Sequence, residues 1–189
     1  MMNPDITGNE SRSHGGGGSA AYDPDIHHRR SIRLKNHDYA QPGAYFVTIC
    51  THNRACVFGN VLDGVMILNG AGALVRDEWL RLTARFPHLL PDAFVVMPNH
   101  LHGILAHAGR VHPEAGGHVP TVGEMVRTFK AATARQIRQH GFDTFAWQRN
   151  YYEHVIRNEA SLQGVREYIQ NNPLQWALDS ENPTNIRRR

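Results

Sequence analysis

The sequence predicts an α+β domain: an antiparallel sheet in the chain order βαββαβ, the ferredoxin-like split βαβ arrangement, with two helices on one face and an extra C-terminal helix. Three observations carry that expectation. Residues 45–51 (YFVTICT), 93–97 (AFVVM), 100–107 (HLHGILAH) and 151–157 (YYEHVIR) are short apolar, β-branched or aromatic runs bounded by turn residues. Helical apolar spacing fills the gap between the first and second runs and the gap between the third and fourth. A last helical segment follows the fourth run, and 189 residues suit one domain with some loose tail.

Taken in order, residues 1–28 hold four consecutive glycines (Gly15 to Gly18), scattered Ser and Asn, and almost no large aliphatic side chains. Such a composition cannot bury enough apolar surface to offset ordering entropy, so a flexible leader is expected before a single domain at residues 29–183 and a basic tail at 184–189. Pro42 and Gly43 open the first strand, and turn residues Gly59, Asn60, Asp63 and Gly64 within residues 57–68 suit a small appended hairpin. Val75, Trp79, Leu82 and Phe86 then share one helical face, with Arg76, Asp77, Glu78 and Arg81 elsewhere around the cylinder and Pro87 as the stop. The second and third strands meet tightly at Pro98 and Asn99, and a Gly- and Pro-containing loop occupies residues 109–120. Val122, Met125, Val126, Phe129 and Ile137 mark the second helix. The last helix is expected from an N-cap at Asn158, with Glu159 favourable to the dipole, to about Asn172, because Pro173 disfavours helical geometry before it.

Composition narrows the class of protein. Two cysteines, Cys50 and Cys56, argue against a secreted disulfide framework and for a reducing compartment. No window approaches the ~20 apolar residues of a membrane span, and the N-terminus lacks the apolar core of a signal peptide, so the expected address is cytoplasmic. Twenty Lys plus Arg against 17 Asp plus Glu tilt the chain weakly toward polyanionic partners.

Thirteen histidines need sorting by spacing. In a strand, His100 and His102 point to the same face about 7 Å apart at Cα, while Leu101 points to the other, so the two imidazoles can converge on one cation. His107 would face away. Two histidines are half a metal site, and the last helix offers further donors: with Leu162, Val165 and Ile169 as its apolar stripe, Tyr168 and Asn172 lie together on one flank, about 40° apart. Tyr168 also fits an ordinary boundary packing residue and Asn172 a plain C-terminal helix residue. The combination nevertheless meets the needs of one reaction. A phosphodiester attacked by a phenol requires a divalent ion to polarise the phosphoryl oxygen and a nucleophile held in line. A mixed nitrogen and oxygen site suits Mg²⁺ or Mn²⁺.

The run VVMPNHLHGI (residues 95–104), with WQRNYYEHVIRNE (147–159) and YIQNNP (168–173), resembles the REP-associated tyrosine transposases, members of the single-tyrosine HUH transposase superfamily. The resemblance spans residues 31–183 and includes SIRLKNHDY and GAYFVTICTHNR. It implies the ferredoxin-like HUH fold, with His100 and His102 as the paired metal ligands on a central strand and Tyr168 as nucleophile on the extra helix. Asn172 sits where relatives place a further polar ligand, and His154 falls in a recurrent segment with a supporting role. Tyr151 and Tyr152 are rivals to Tyr168 that lack the helical Asn partner.

The implied activity is that of a metal-dependent single-stranded DNA endonuclease and strand transferase, cleaving near hairpins of repetitive palindromes through a covalent 5′-phosphotyrosine. The implied partner is a single-stranded DNA hairpin, with no organic cofactor and no membrane, and the protein a monomer or homodimer. Arg127, Lys130, Arg135 and Arg138 on the second helix, with Arg33 and Lys35 near the start, are candidates to track the phosphate backbone. A catalytically idle, transposase-derived DNA-binding or regulatory protein is the alternative; a replication-initiator nickase and a simple metal hydrolase share parts of the same chemistry.

Overall fold

The computed structural model describes residues 43–90, 92–107 and 120–185. Along the chain run β1 (Gly43–Cys50), β2 (Gly59–Leu62), β3 (Val65–Leu68), α1 (Gly70–Leu80), α2 (Leu82–Arg85), β4 (Leu89–Leu90), β5 (Phe94–Val96), β6 (His100–His107), α3 (Val122–Gln139), β7 (Tyr152–Ile156) and α4 (Glu159–Asn171). Short 3-10 turns occupy His52–Arg54, Pro173–Leu178 and Pro183–Asn185. The leader, Arg33, Lys35, most of the 109–120 loop and the last four residues lie outside the described residues.

The sheet has the predicted topology. β1 lies between β7 and β6, antiparallel to both, and β6 is flanked on its far side by β4 and β5. That far edge is a single strand interrupted. β4 pairs with Ala106 and His107, β5 with residues Leu101 to Gly103, and between them the Ile104 amide donates to the Ala93 carbonyl at 3.0 Å. The sequence pattern reveals only the β5 half, because two leucines are too short a run to announce a strand. β2 and β3 form the expected hairpin, which makes a two-stranded sheet of its own rather than joining β1.

Strand alternation divides the apolar residues between two faces. Tyr45, Val47 and Ile49 of β1 and Leu101 and Leu105 of β6 face the main core, where Val75 and Trp79 of α1 and Met125, Val126, Phe129 and Ile137 of α3 cover them. Gly103 is required there: a Cβ at that position would stand 2.3 Å from a Trp79 ring atom, so only glycine lets the indole lie against β6. Phe46, Ile104 and Ile156 face the other way, against Leu162, Val165 and Ile169 of α4. The extra helix is thus alone on its face of the sheet among the described helices.

Each of these helices starts on a side-chain cap. Asn158 accepts from the Ser161 amide at 2.8 Å, as its position before the apolar stripe predicts. Thr121 and Glu124 close a capping box on α3, and Asn69 accepts from the Gly72 amide on α1. A bidentate pair, Arg166 with Asp92, ties the middle of α4 to the residues leading into β5.

Two details differ from the sequence expectation. The first helix is interrupted at Arg81, which separates α1 from α2. Glu78, expected on the outer face, is fully buried, with its carboxylate 2.6 Å from Arg85 Nη2 and accepting from Gln136 Nε2 at 2.8 Å. A helical wheel shows the strongest apolar stripe, and here α3 packs beside that stripe and covers the glutamate as well. Cys50 and Cys56 are both free thiols, and no helix among the described residues is long and apolar enough to cross a membrane.

Candidate active site

His100 and His102 both project from the α4 face of β6, as their spacing requires, and their ring centroids are 4.4 Å apart. Cross-strand register supplies their surroundings. Thr48 lies opposite His102 and Cys50 opposite His100, so both side chains share the histidine face. The Thr48 hydroxyl is 2.8 Å from His102 Nδ1, and Phe46 stacks on the His102 ring at 5.3 Å. Desolvation depresses the pKa of both imidazoles to about 3, with the proximity of His100 adding to the effect on His102. Both are therefore neutral at physiological pH, the state in which a ring nitrogen keeps a lone pair for a cation.

Helix α4 and the chain after it complete the arrangement. Tyr168, at 43 % exposure, holds its hydroxyl 3.3 Å from His102 Nε2 and meets the Phe46 and His102 rings edge-on. Its pKa is raised by partial desolvation and by the Asp179 carboxylate, against a lowering contribution from Asn172. Asn172 caps the C-terminal end of α4 and is buried, and Pro173 opens the 3-10 turn that follows. That turn carries Trp176 to within 6.0 Å of the His100 ring and brings Asp179 Oδ2 to 3.8 Å from His100 Nε2. Tyr168, Asn172, Gln175, Leu178, Asp179 and Ser180 line an open cleft of about 260 Å³.

Ligand atoms of His100, His102 and Asp179 all lie within 4.8 Å of one another. His100 Nε2, Asn172 Oδ1 and Asp179 Oδ2 are buried and have no hydrogen-bond partner. A buried acceptor left unpaired costs about 1–3 kcal/mol, so His100 and Asp179, whose ligand atoms lie close together, call for a shared partner. Two neutral nitrogens with carboxylate and amide oxygens are a donor set for a divalent ion such as Mn²⁺, so the residues fit the metal that the sequence implies.

The predicted residues distribute unevenly. His100, His102, Tyr168 and Asn172 come together. His154 lies opposite Phe46 on the same sheet face, exposed on the edge strand. Of the rival tyrosines, Tyr151 donates to Glu153 Oε2 at 2.7 Å and packs against the main core, whereas Tyr152 shares the histidine face next to Phe46.

Arg127, Lys130, Arg135 and Arg138 all belong to α3, on the opposite side of the sheet from the histidines. Two of the four have work inside the protein. Lys130 Nζ donates to the carbonyls of Gln148, Arg149 and Asn150, and Arg138 Nε donates to the Phe145 carbonyl at 2.9 Å. A polar position on a helical wheel does not reveal that a loop folds back over it. Arg127 and Arg135 remain exposed.

Asp179 escapes the sequence reading because it belongs to no helix or strand pattern and reaches the site only through the turns after α4. Thr48 follows from the strand register, which a sequence does not print. Asn99 reads from sequence as a turn residue, yet it is wholly buried with Oδ1 2.8 Å from His100 Nδ1.

No family model matches this sequence. It is 42% identical over 171 residues to an uncharacterised protein of Haemophilus influenzae, covering 84% of this chain and 95% of that one. Among solved structures, a REP-associated tyrosine transposase bound to a REP hairpin superposes with a TM-score of 0.55 at 20% identity, over 78% of this chain and 76% of the other. The chain therefore belongs to one family with the Haemophilus protein, and it has the mixed α+β, antiparallel-sheet fold seen in the REP-associated tyrosine transposase.

Proposed function

We propose that this protein is a transposase-type endonuclease and strand transferase acting on single-stranded DNA beside a hairpin, with Tyr168 as nucleophile and a divalent ion, Mg²⁺ or Mn²⁺, held by His100, His102 and an oxygen from Asp179 or Asn172. One observation carries the reading: the Tyr168 hydroxyl stands 3.3 Å from His102 Nε2, at the rim of the buried, partnerless donors of His100, Asn172 and Asp179. When bound, the ion supplies Lewis-acid stabilisation of charge developing on a phosphoryl oxygen. The chain's own residues do the rest.

The partly exposed Tyr168 phenol gives up its proton to water as its oxygen bonds to phosphorus. The 3′ oxygen leaves with the electron pair of the broken P–O bond and takes a proton from water, giving a 5′-phosphotyrosine and a free 3′-OH. Phe46 and His102 hold the phenol ring from two sides, which limits the orientations it must lose on attack. The cleft beside Tyr168 is where the unpaired strand would lie. His154, on the same sheet face, supports the site from its edge, and the exposed Arg127 and Arg135 contribute phosphate contacts, as do Arg33 and Lys35, whereas Lys130 and Arg138 are engaged with backbone carbonyls. The proposed setting is the cytoplasm.

Purified protein is incubated with single-stranded hairpin oligonucleotides and Mn²⁺ or Mg²⁺, and a denaturation-resistant adduct is mapped by mass spectrometry. An adduct on Tyr168, absent with EDTA and in His100→Ala, is the expected result. Cleavage without an adduct identifies a hydrolase; hairpin binding without cleavage identifies an idle DNA-binding protein. Preference for duplex over hairpin in competition removes the hairpin part of the proposal.

A further inference from the structure

We infer that Asn99 is a positioning residue for the cation site: one carboxamide sets the His100 tautomer and tethers the turn that delivers Asp179. The inference rests on the reading of His100, His102 and Asp179 as ligands. An amide side chain has one accepting end and one donating end, and the surroundings of Asn99 decide which is which. Its Nδ2 lies 2.7 Å from the Glu181 carbonyl oxygen and 3.1 Å from that of Arg54. Both oxygens only accept, so the NH₂ end belongs there and Oδ1 belongs against His100 Nδ1, at 2.8 Å.

An amide oxygen cannot donate, so the single proton of the neutral imidazole sits on Nδ1 and donates to Asn99. The lone pair is then on Nε2, the buried atom without a hydrogen-bond partner that faces Asp179 Oδ2. The opposite tautomer would aim a proton into the site and leave Nδ1 and Oδ1 as two acceptors in contact. Asn99 has no freedom to turn: it is wholly buried, and its own carbonyl accepts from the Thr51 amide at 2.8 Å.

The second function runs through the other end of the same amide. By donating to the Glu181 carbonyl, Asn99 holds a turn in which the Glu181 amide donates to Asp179 Oδ1 at 2.7 Å. That bond occupies one carboxylate oxygen and leaves Oδ2 for the site. Arg54 reinforces the turn by pairing with the Glu181 carboxylate at 3.0 Å. A histidine ligand and a carboxylate ligand separated widely in sequence are thereby oriented by one side chain, the arrangement by which outer groups tune a metal site.

Two variants separate the two ends. Asn99→Asp keeps an oxygen for His100 Nδ1–H but cannot donate to the Glu181 and Arg54 carbonyls; Asn99→Leu removes both ends. In the metal-free wild type and in Asn99→Asp, ¹⁵N NMR of the imidazoles should report His100 protonated at Nδ1. Finding Nε2–H in the wild type overturns the inference, whether or not any variant folds. In Mn²⁺ titrations followed by electron paramagnetic resonance, Asn99→Leu should bind about 10–100-fold more weakly, and Asn99→Asp should fall between it and the wild type. A folded Asn99→Leu that binds Mn²⁺ as tightly as the wild type overturns it too. No Mn²⁺ binding by the wild type would overturn the ligand reading instead, while the tautomer still decides what Asn99 does to His100.

Discussion

The two faces of the sheet are built on opposite terms. On one, α1 and α3 seal an aromatic and aliphatic core in which Trp147 Nε1 donates to Thr133 Oγ1 and the buried Glu78 carboxylate, one oxygen of which makes no hydrogen bond, is neutralised by Arg85 and accepts from Gln136. On the other, α4, alone there among the described helices, covers a small cluster around Ile104, Ile156 and Ile169, and beside it His100, Asn172 and Asp179 keep buried acceptors unpaired. The first face holds the fold together. The second accepts the cost of desolvated donors that a rigid sheet can hold in place, which is how functional sites are commonly assembled on stable scaffolds.

The sharpest test of that division is a substitution that removes chemistry and leaves the fold. Tyr168→Phe should abolish adduct formation, a loss of at least about 10³-fold if the phenol is the nucleophile. The same variant should keep hairpin affinity in a gel-shift titration and change stability by no more than about 1 kcal/mol, because one partly exposed hydrogen bond is lost. Residual adduct in that variant would transfer the role to Tyr152, which shares the face.

The opposite experiment damages the core face. Phe129→Ala removes a fully buried ring that packs against Trp79 and Trp147, and should cost about 3–5 kcal/mol in urea denaturation. A loss below about 1 kcal/mol would mean that this face carries less of the stability than its packing indicates.

Acidification should separate the faces without any mutation. His100 and His102 have folded pKa values near 3, below the ordinary 6.5 of an unfolded chain, so the unfolded state binds more protons between those limits. Stability of the metal-free protein is therefore fully present above about pH 6.5 and declines as pH falls toward 3. Urea midpoints at pH 7.5, 6 and 5 check this, and His102→Gln should flatten the decline. A midpoint that does not move between pH 7.5 and 5 contradicts it.

Smaller effects refine the comparison. Gly103→Ala sits on the core face of β6 between the two site histidines' flank and Leu105, and pushes a methyl into Trp79; overpacking of that kind costs about 1–3 kcal/mol. Asn158→Ala removes the cap of α4 and should cost about 1 kcal/mol, read as a lower thermal midpoint. If the site depends on how α4 is seated, that variant also weakens Mn²⁺ binding slightly, whereas Gly103→Ala does so only through a shift of the whole strand.

What the sequence determined by itself is local and periodic. The alternation of β6 placed His100 and His102 on one face, the helical spacing of α4 set Tyr168 beside Asn172, and the strand and helix order specified the sheet topology, because periods of two and 3.6 residues are printed directly in the chain. Tertiary structure decided everything that joins distant segments without a period: Thr48 opposite His102 through strand register, Asp179 carried in by a turn after α4, and Asn99 turned from a loop residue into a partner of His100. It also decided which side of Glu78 another helix would cover and that Lys130 would hold the loop before β7. A side chain's periodicity tells which way it points from its own element. What it meets there depends on the packing of elements whose relative placement is a property of the whole chain.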